Sequence, residues 1–142
     1  MQRVEEASVK VSGKTIGKIG PGLMVLLGVR EGDTEKDARY LVDKIANLRI
    51  FADKNDKMNL SALETRSAVL AVSQFTLYGN TKRGRRPSFV KAAPPKLAEK
   101  LFNYFVKKLR ETGLKVETGK FGAKMLVEIL NDGPVTLILD ST

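Results

Sequence analysis

The sequence has no cysteine and no histidine. Without cysteine there is no disulfide framework and no thiolate nucleophile; without histidine there is no imidazole to act as a general base. Together the two absences exclude most zinc sites, cysteine nucleophiles and Ser-His-Asp triads, and no cofactor is expected. Long apolar runs are missing too. Segments such as Leu23-Met24-Val25-Leu26-Leu27 are far short of the roughly 20 residues of a membrane span. Met1-Gln2-Arg3-Val4 lacks the charged-then-apolar pattern of a secretory leader, so a cytoplasmic address with no membrane association is expected.

What is present has an ordinary globular balance. The 142 residues are 42% hydrophobic and 29% charged, with 12 glycines and 5 prolines. Such a chain is expected to form one domain, over 1–142, that buries roughly two-thirds of its unfolded surface. Its charge is one-sided: 25 Lys and Arg against 16 Asp and Glu, net +9. That surplus concentrates polyanions at the surface and makes nucleic acid the leading partner class. A charge-rich surface of the thermophilic kind gives the same balance without any ligand.

Along the chain, Ala7 to Val11 alternates apolar and polar residues, Ser12-Gly13-Lys14 turns, and Thr15 to Ile19 returns, which is a hairpin pattern. Gly20-Pro21-Gly22 breaks the sheet before Leu23 to Val29, an apolar run suited to a strand buried on both faces. Thr34 followed by Asp37 reads as a helix start with a capping-box acid. Ala38, Leu41, Val42 and Ile45 then fall on one helical face. Leu48 to Phe51 reads as a short strand, Asp53 to Asn59 as a polar connection, and Ser67 to Tyr78 as a central strand with a polar end. Pro94-Pro95 opens a second helix with Leu97, Leu101, Phe105 and Leu109 on one face and Gly113 at its end. Met125 to Leu130 and Val135 to Leu139 read as a last strand pair joined by Asn131 to Pro134. The sum is an α+β domain, a mostly antiparallel, barrel-like mixed sheet with two main helices packed on it.

Three segments stand apart. Lys82-Arg83-Gly84-Arg85-Arg86-Pro87 puts four cations in one short loop directly after a strand, and arginine suits bidentate phosphate recognition; the plain alternative is a solvated loop. Ser73-Gln74-Phe75-Thr76 ends the central strand, and strand alternation would set Gln74 and Thr76 on one side, Ser73 and Phe75 on the other. With no histidine to serve as base, a threonine nucleophile is weak, and strand-end backbone amides acting as an oxyanion hole are the better reading. Asn131-Asp132-Gly133-Pro134 is by itself ordinary turn chemistry.

Taken together, Ser73-Gln74-Phe75-Thr76-Leu77-Tyr78 and Asn131-Asp132-Gly133-Pro134-Val135-Thr136 resemble the paired signatures of the D-aminoacyl-tRNA deacylases. Gln2-Arg3-Val4, Ile19-Gly20-Pro21-Gly22-Leu23, Asn47-Leu48-Arg49-Ile50-Phe51, Gly84-Arg85-Arg86-Pro87-Ser88-Phe89 and Glu117-Thr118-Gly119-Lys120-Phe121-Gly122-Ala123 look like further family segments, in order, across the chain. The resemblance implies a homodimeric enzyme that hydrolyses the ester between a D-amino acid and the 3′-terminal adenosine of tRNA. It implies that Gly133-Pro134, as a cis peptide, reaches from one subunit into the other's active site and clamps the substrate's α-amino group, so that an L side chain clashes. It singles out Thr76 as nucleophile or orienting hydroxyl; the missing base favours the second, and the vicinal 2′-hydroxyl of the tRNA is then expected to activate water. It also implies that Arg3 braces the Gly133-Pro134 loop and that Phe121 lines the pocket near Ser73 and Gln74.

A clamp that excludes only a side chain admits glycine, so glycyl-tRNA, including tRNA(Ala) mischarged with glycine, is expected to be cleaved as well. Lys82, Arg83, Arg85 and Arg86 are the expected tRNA contacts. Two rivals are a non-catalytic tRNA-binding module and a hydrolase of small D-amino acid esters; salt-sensitive hydrolysis of the charged tRNA separates the expected activity from both.

Overall fold

Strands β1 (Gln2–Val11) and β2 (Lys14–Ile19) form the expected antiparallel hairpin in the computed structural model, which describes all residues from Met1 to Thr142. Ser12 and Gly13 make its turn with φ of 50° and 79°, the left-handed pair that matches strand twist in a tight hairpin. β1 begins at Gln2, five residues earlier than the alternation indicates. Its charged first half is held as a strand by neighbours: it pairs with β3 (Gly22–Leu27) at Arg3↔Leu23 before passing to β2.

β3 runs parallel to β6 (Ala68–Ser73), and β6 parallel to β7 (Val116–Thr118), a strand without a sequence signal of its own. A Cβ added at Gly22 would lie 1.9 Å from the Ala68 carbonyl oxygen, so glycine is what lets β3 start this close to β6. Both sheet faces are buried. Leu23, Val25, Val69, Ala71 and Val116 face two helices, α1 (Glu35–Asn47) and α3 (Pro95–Glu111). Met24, Leu70 and Val72 face the other way, against Val4, Val9 and Ile19. Strand period 2 thus gives two cores from one sheet, and β1, bent between β2 and β3, draws that sheet toward a barrel.

The helix signals act as read, with one change of detail. Asp37 Oδ2 accepts from the Thr34 N–H at 2.8 Å and from the Thr34 hydroxyl at 3.1 Å. The Thr34 side chain is therefore spent on Asp37, and the Asp37 N–H goes to the Thr34 carbonyl at 3.1 Å. Gly113, φ 95°, closes the end of α3.

Four expectations are corrected. Leu48 to Ile50 is not strand; only β4 (Phe51–Ala52) pairs, with β5 (Met58–Leu60), inside what reads as a polar connection. A one-turn helix, α2 (Ala62–Thr65), follows under a full Ser61/Glu64 capping box, with Glu64 N donating to Ser61 Oγ at 3.1 Å and Ser61 N to Glu64 Oε2 at 2.7 Å. The central strand stops at Ser73, and Phe75–Tyr78 is a 3₁₀ turn. The last strand pair is one strand, β8 (Leu126–Thr136), antiparallel to β1, with Asp132 to Val135 bulging out between the pairs Val4↔Asn131 and Gln2↔Thr136. Its two halves share one partner instead of pairing with each other, which only the position of β1 decides. No helix is long and apolar enough to cross a membrane.

Candidate functional site

Where β6 ends, Gln74 N still donates to the Leu27 carbonyl at 2.8 Å; then the chain leaves the sheet and turns. The turn begins with Phe75 and Thr76, and the first N–H groups of a helical turn have no partner inside it. No side chain caps them. Both residues line a cavity of about 1060 Å³. Because the segment is a turn, the strand alternation expected for Ser73 to Thr76 does not hold: all four residues line the same cavity.

Gln74 Nε2 donates to Thr76 Oγ1 at 3.0 Å. The threonine hydroxyl is thereby fixed as an acceptor from glutamine and keeps its own proton for another acceptor. No histidine, lysine or aspartate lines this cavity, and Glu31 is the single ionisable residue that does. Tyr78, two residues on, is turned into a separate, smaller cavity with Asp33 and Asp140. Burial first, then those carboxylates, push its phenol above the ordinary value, so it stays protonated at neutral pH and is no base for Thr76.

Apolar walls complete the cavity. Phe75 is 57% exposed and meets Phe89 edge-on, ring centroids 5.0 Å apart. Pro94, Pro95, Met125 and Phe121 lie around them. Phe121 is brought there by the loop after β7, whose Gly119 N donates to Ala71 O at 3.3 Å. Phe89, Glu31 and the Pro94-Pro95 rim carry no sequence signal for this role; backbone bonds such as Glu31 N to Lys91 O, 3.1 Å, place them.

The cation loop stands beside the cavity. Asn80 and Ser88 close its base with two backbone hydrogen bonds of 2.7 and 3.0 Å, and Phe75 and Phe89 flank that base. Lys82, Arg83, Arg85 and Arg86 are exposed and none has an acidic partner.

Gly133 and Pro134 are elsewhere. They form the exposed tip of the β8 bulge, joined by a cis peptide bond, and line none of the cavity that holds Thr76. Arg3 braces them. Its Nη1 donates to Ile50 O at 2.7 Å and its Nε lies 3.0 Å from Asp132 Oδ2. Nε makes no aligned hydrogen bond, so the contact with Asp132 is one of charge. Asn131, with its amide turned to satisfy both ends, donates to the carbonyls of Arg3 (2.8 Å) and Val135 (3.1 Å) and accepts from Thr136 Oγ1 (2.9 Å). A Cβ on Gly133, φ 115°, would sit 2.9 Å from Val135 Cγ2 and 3.0 Å from Arg3 Nη2.

Comparison with known proteins covers nearly the whole chain. The family model described as D-Tyr-tRNA(Tyr) deacylase matches residues 1–140. A D-aminoacyl-tRNA deacylase of Halothermothrix orenii is 62% identical over 141 residues, which is 99% of this chain and 95% of that protein. One of Thermosipho melanesiensis is 61% identical over 142 residues, with the same coverage. Among solved structures, a c-Myc DNA unwinding element binding protein superposes with a TM-score of 0.93 at 45% identity, covering 99% of this chain and 96% of that one.

Proposed function

The chain belongs to the D-Tyr-tRNA(Tyr) deacylase family and is a hydrolase with D-aminoacyl-tRNA deacylase activity, and we propose that the reaction takes place at the Ser73–Thr76 turn. The observation that carries this reading is that Phe75 and Thr76, whose N–H groups begin a turn with no side-chain cap, line a cavity large enough for an aminoacyl-adenosine. The ester carbonyl oxygen sits on these two donors, which stabilise the oxyanion as water adds. The Thr76 hydroxyl, held by Gln74, donates to the substrate and orients it. The vicinal 2′-hydroxyl of the terminal ribose relays the proton: it accepts one from the attacking water and passes its own to the 3′-oxygen, which leaves as a hydroxyl when the ester bond breaks. An aminoacyl ester is already activated, so positioning supplies most of what remains. Phe75, Phe89 and Phe121 give the adenine its apolar surroundings.

Chirality is read by a part that one chain lacks at this site. Gly133-Pro134 lies on the β8 bulge, outside the cavity, and in our reading a second copy inserts it. Leu126 and Leu130, large and exposed on β8, support an apolar contact between copies. The inserted loop occupies the space an L side chain would need and leaves the D side chain pointing outward, unread. Glycine, with no side chain on either face, passes, so glycyl-tRNA(Ala) is cleaved. Lys82, Arg83, Arg85 and Arg86 hold tRNA phosphates outside the pocket.

The test is release of labelled D-tyrosine, L-tyrosine and glycine from matched charged tRNAs by wild type, Gly133→Ala and Thr76→Ala. Wild type should clear the D and glycyl esters and spare the L ester. Gly133→Ala, strained at its φ and crowded against Val135 and Arg3, should lose most D-directed activity or its selectivity. Thr76→Ala should fall about tenfold, one hydrogen bond's worth. A loss of a thousandfold or more, with folding and tRNA binding intact, would mean a threonine nucleophile instead, and wild type that spares glycyl-tRNA would end the exclusion account.

A further inference from the structure

The solvent face of α3 has no part in the chemistry above, and its pattern is not that of a plain solvated helix. Lys96, Lys100, Asn103, Lys107 and Arg110 recur at four- and three-residue steps, and all five are exposed. That spacing stacks them in one row, about 16 Å long from Lys96 to Lys107 at 1.5 Å per residue. None of the three lysines has an acid within ion-pair distance. Arg110 is turned onto the Val116 carbonyl, at 3.0 and 3.3 Å. Like charges four apart on a helix destabilise it, so Lys96 and Lys100 are set against the helix's own stability.

An open groove of about 700 Å³ lies beside the later part of the row, lined among others by Glu99, Asn103, Lys107, Arg110 and Thr118, while Lys96 and Lys100 stand on the helix outside it. Phe121 lines both this groove and the catalytic cavity. Pro94 and Pro95, at the head of α3, form part of the cavity's rim. Row and groove therefore start where the cavity opens and lead away from it. Of the two acids in the groove, Glu111 is taken by Lys108 at 2.9 Å and Glu99 alone opposes the row.

We propose that this face of α3 carries the phosphodiester backbone of the single-stranded 3′ end of the tRNA, just upstream of the terminal adenosine, with Lys96, Lys100 and Lys107 as phosphate contacts. The inference rests on the pocket reading above, since the strand it binds is the one whose end occupies that pocket. It gives the enzyme a second hold on tRNA, independent of the Lys82 to Arg86 loop, and explains why the cations are unpaired: their counter-charges arrive with the substrate. An acidic protein would also meet the charge, but nothing would then align the row with the cavity mouth.

The experiment compares wild type with the triple variant Lys96→Gln/Lys100→Gln/Lys107→Gln on two substrates, D-aminoacyl-tRNA and D-aminoacyl-adenosine, which has no upstream phosphate. The ratio of kcat/KM for the tRNA to that for the adenosine ester should fall about tenfold at low salt, mainly through KM. The slope of log kcat/KM against log salt for the tRNA should become shallower by about 2, at roughly 0.7 for each single-strand phosphate. Lys36→Gln/Lys44→Gln on α1 should change neither. A triple variant with the wild-type ratio and slope overturns the proposal and leaves the pocket reading standing; equal loss on both substrates leaves the ratio unchanged and also counts against it. If wild type cleaves neither substrate, the pocket reading has failed, and the affinity of the two proteins for uncharged tRNA still decides whether α3 binds RNA.

Discussion

Helices α1 and α3 lie on the same sheet face and bury the same kind of surface, yet their outer faces differ. α1 buries Ala38, Val42, Ile45 and Ala46; α3 buries Ala98, Leu101, Phe102, Phe105, Val106 and Leu109. Outside, α1 has three acids and three bases and settles part of its charge internally. Arg39 lies 3.8 Å from Glu35, and the Lys44 ammonium sits 5.5 Å from the centre of the Tyr40 ring. α3 has five bases and two acids, with a single ion pair, Lys108 to Glu111. The inner faces answer to the fold, which asks for apolar volume at helical period. The outer faces answer to whatever meets them, and of the two only α3 begins at the rim of the cavity that holds Thr76.

Truncating the inner faces tests their likeness and should have the largest effect. Phe105→Ala, at a side chain with 0% exposure, should cost about 3–5 kcal/mol, and Ile45→Ala on α1, at 2%, about 2–5 kcal/mol. Urea midpoints measure both. A cost under about 1 kcal/mol on either helix would mean that helix does not share the core. The α3 lysine triple variant against its α1 control, read as a tenfold change in substrate preference, is the intermediate case and separates the outer faces.

The smallest expected effect concerns how the helices start. α1 has the Thr34/Asp37 cap, whereas α3 starts on Pro94-Pro95 with no side-chain cap. Asp37→Asn should therefore cost about 0.5–1 kcal/mol at neutral pH. The Thr34 N–H holds the Asp37 carboxyl below its ordinary value of 3.8. Its contribution is thus complete above that value and lost as pH falls through the lower folded one. The gap between wild type and Asp37→Asn should close in that acid window and be constant above it; a gap that persists at the lowest pH would assign the cap to something other than the ionised carboxylate.

Periodicity made α1, α3 and the first hairpin legible, and an unbroken apolar run did the same for β3, which is buried on both faces. It failed where a neighbour overrules the local pattern. β1 extends through Glu5-Glu6 to Gln2 because β8 pairs along it, at Glu6 among others, and β3 pairs with Gln2 to Val4. β7 has three residues and exists because β6 has a free edge. The strand alternation assigned to Ser73–Thr76 ends one residue into that segment, since β3 ends opposite Ser73 and leaves no ladder to continue. Of the site, Ser73, Gln74, Phe75, Thr76 and Phe121 were nameable from motifs, and the structure brings all five to one cavity. Glu31 stood in no motif, and Phe89 and Pro94-Pro95 were not assigned to the site, for all of them reach it through backbone bonds between distant segments.

The amino-acid order by itself determined the chemistry that is possible: no imidazole, no thiol, a hydroxyl beside an amide at Gln74-Phe75-Thr76, a cationic excess, and two apolar faces at helical period. These are properties of residue type and spacing, which need no neighbour. Tertiary structure alone decided that Gln74, Phe75 and Thr76 line one cavity with Phe121, that Asp132 to Val135 bulge from one strand instead of joining two, and that α3 with its lysine row starts beside that cavity. Each of these depends on which backbone lies opposite, and contacts between residues far apart in the chain leave no periodic mark along it.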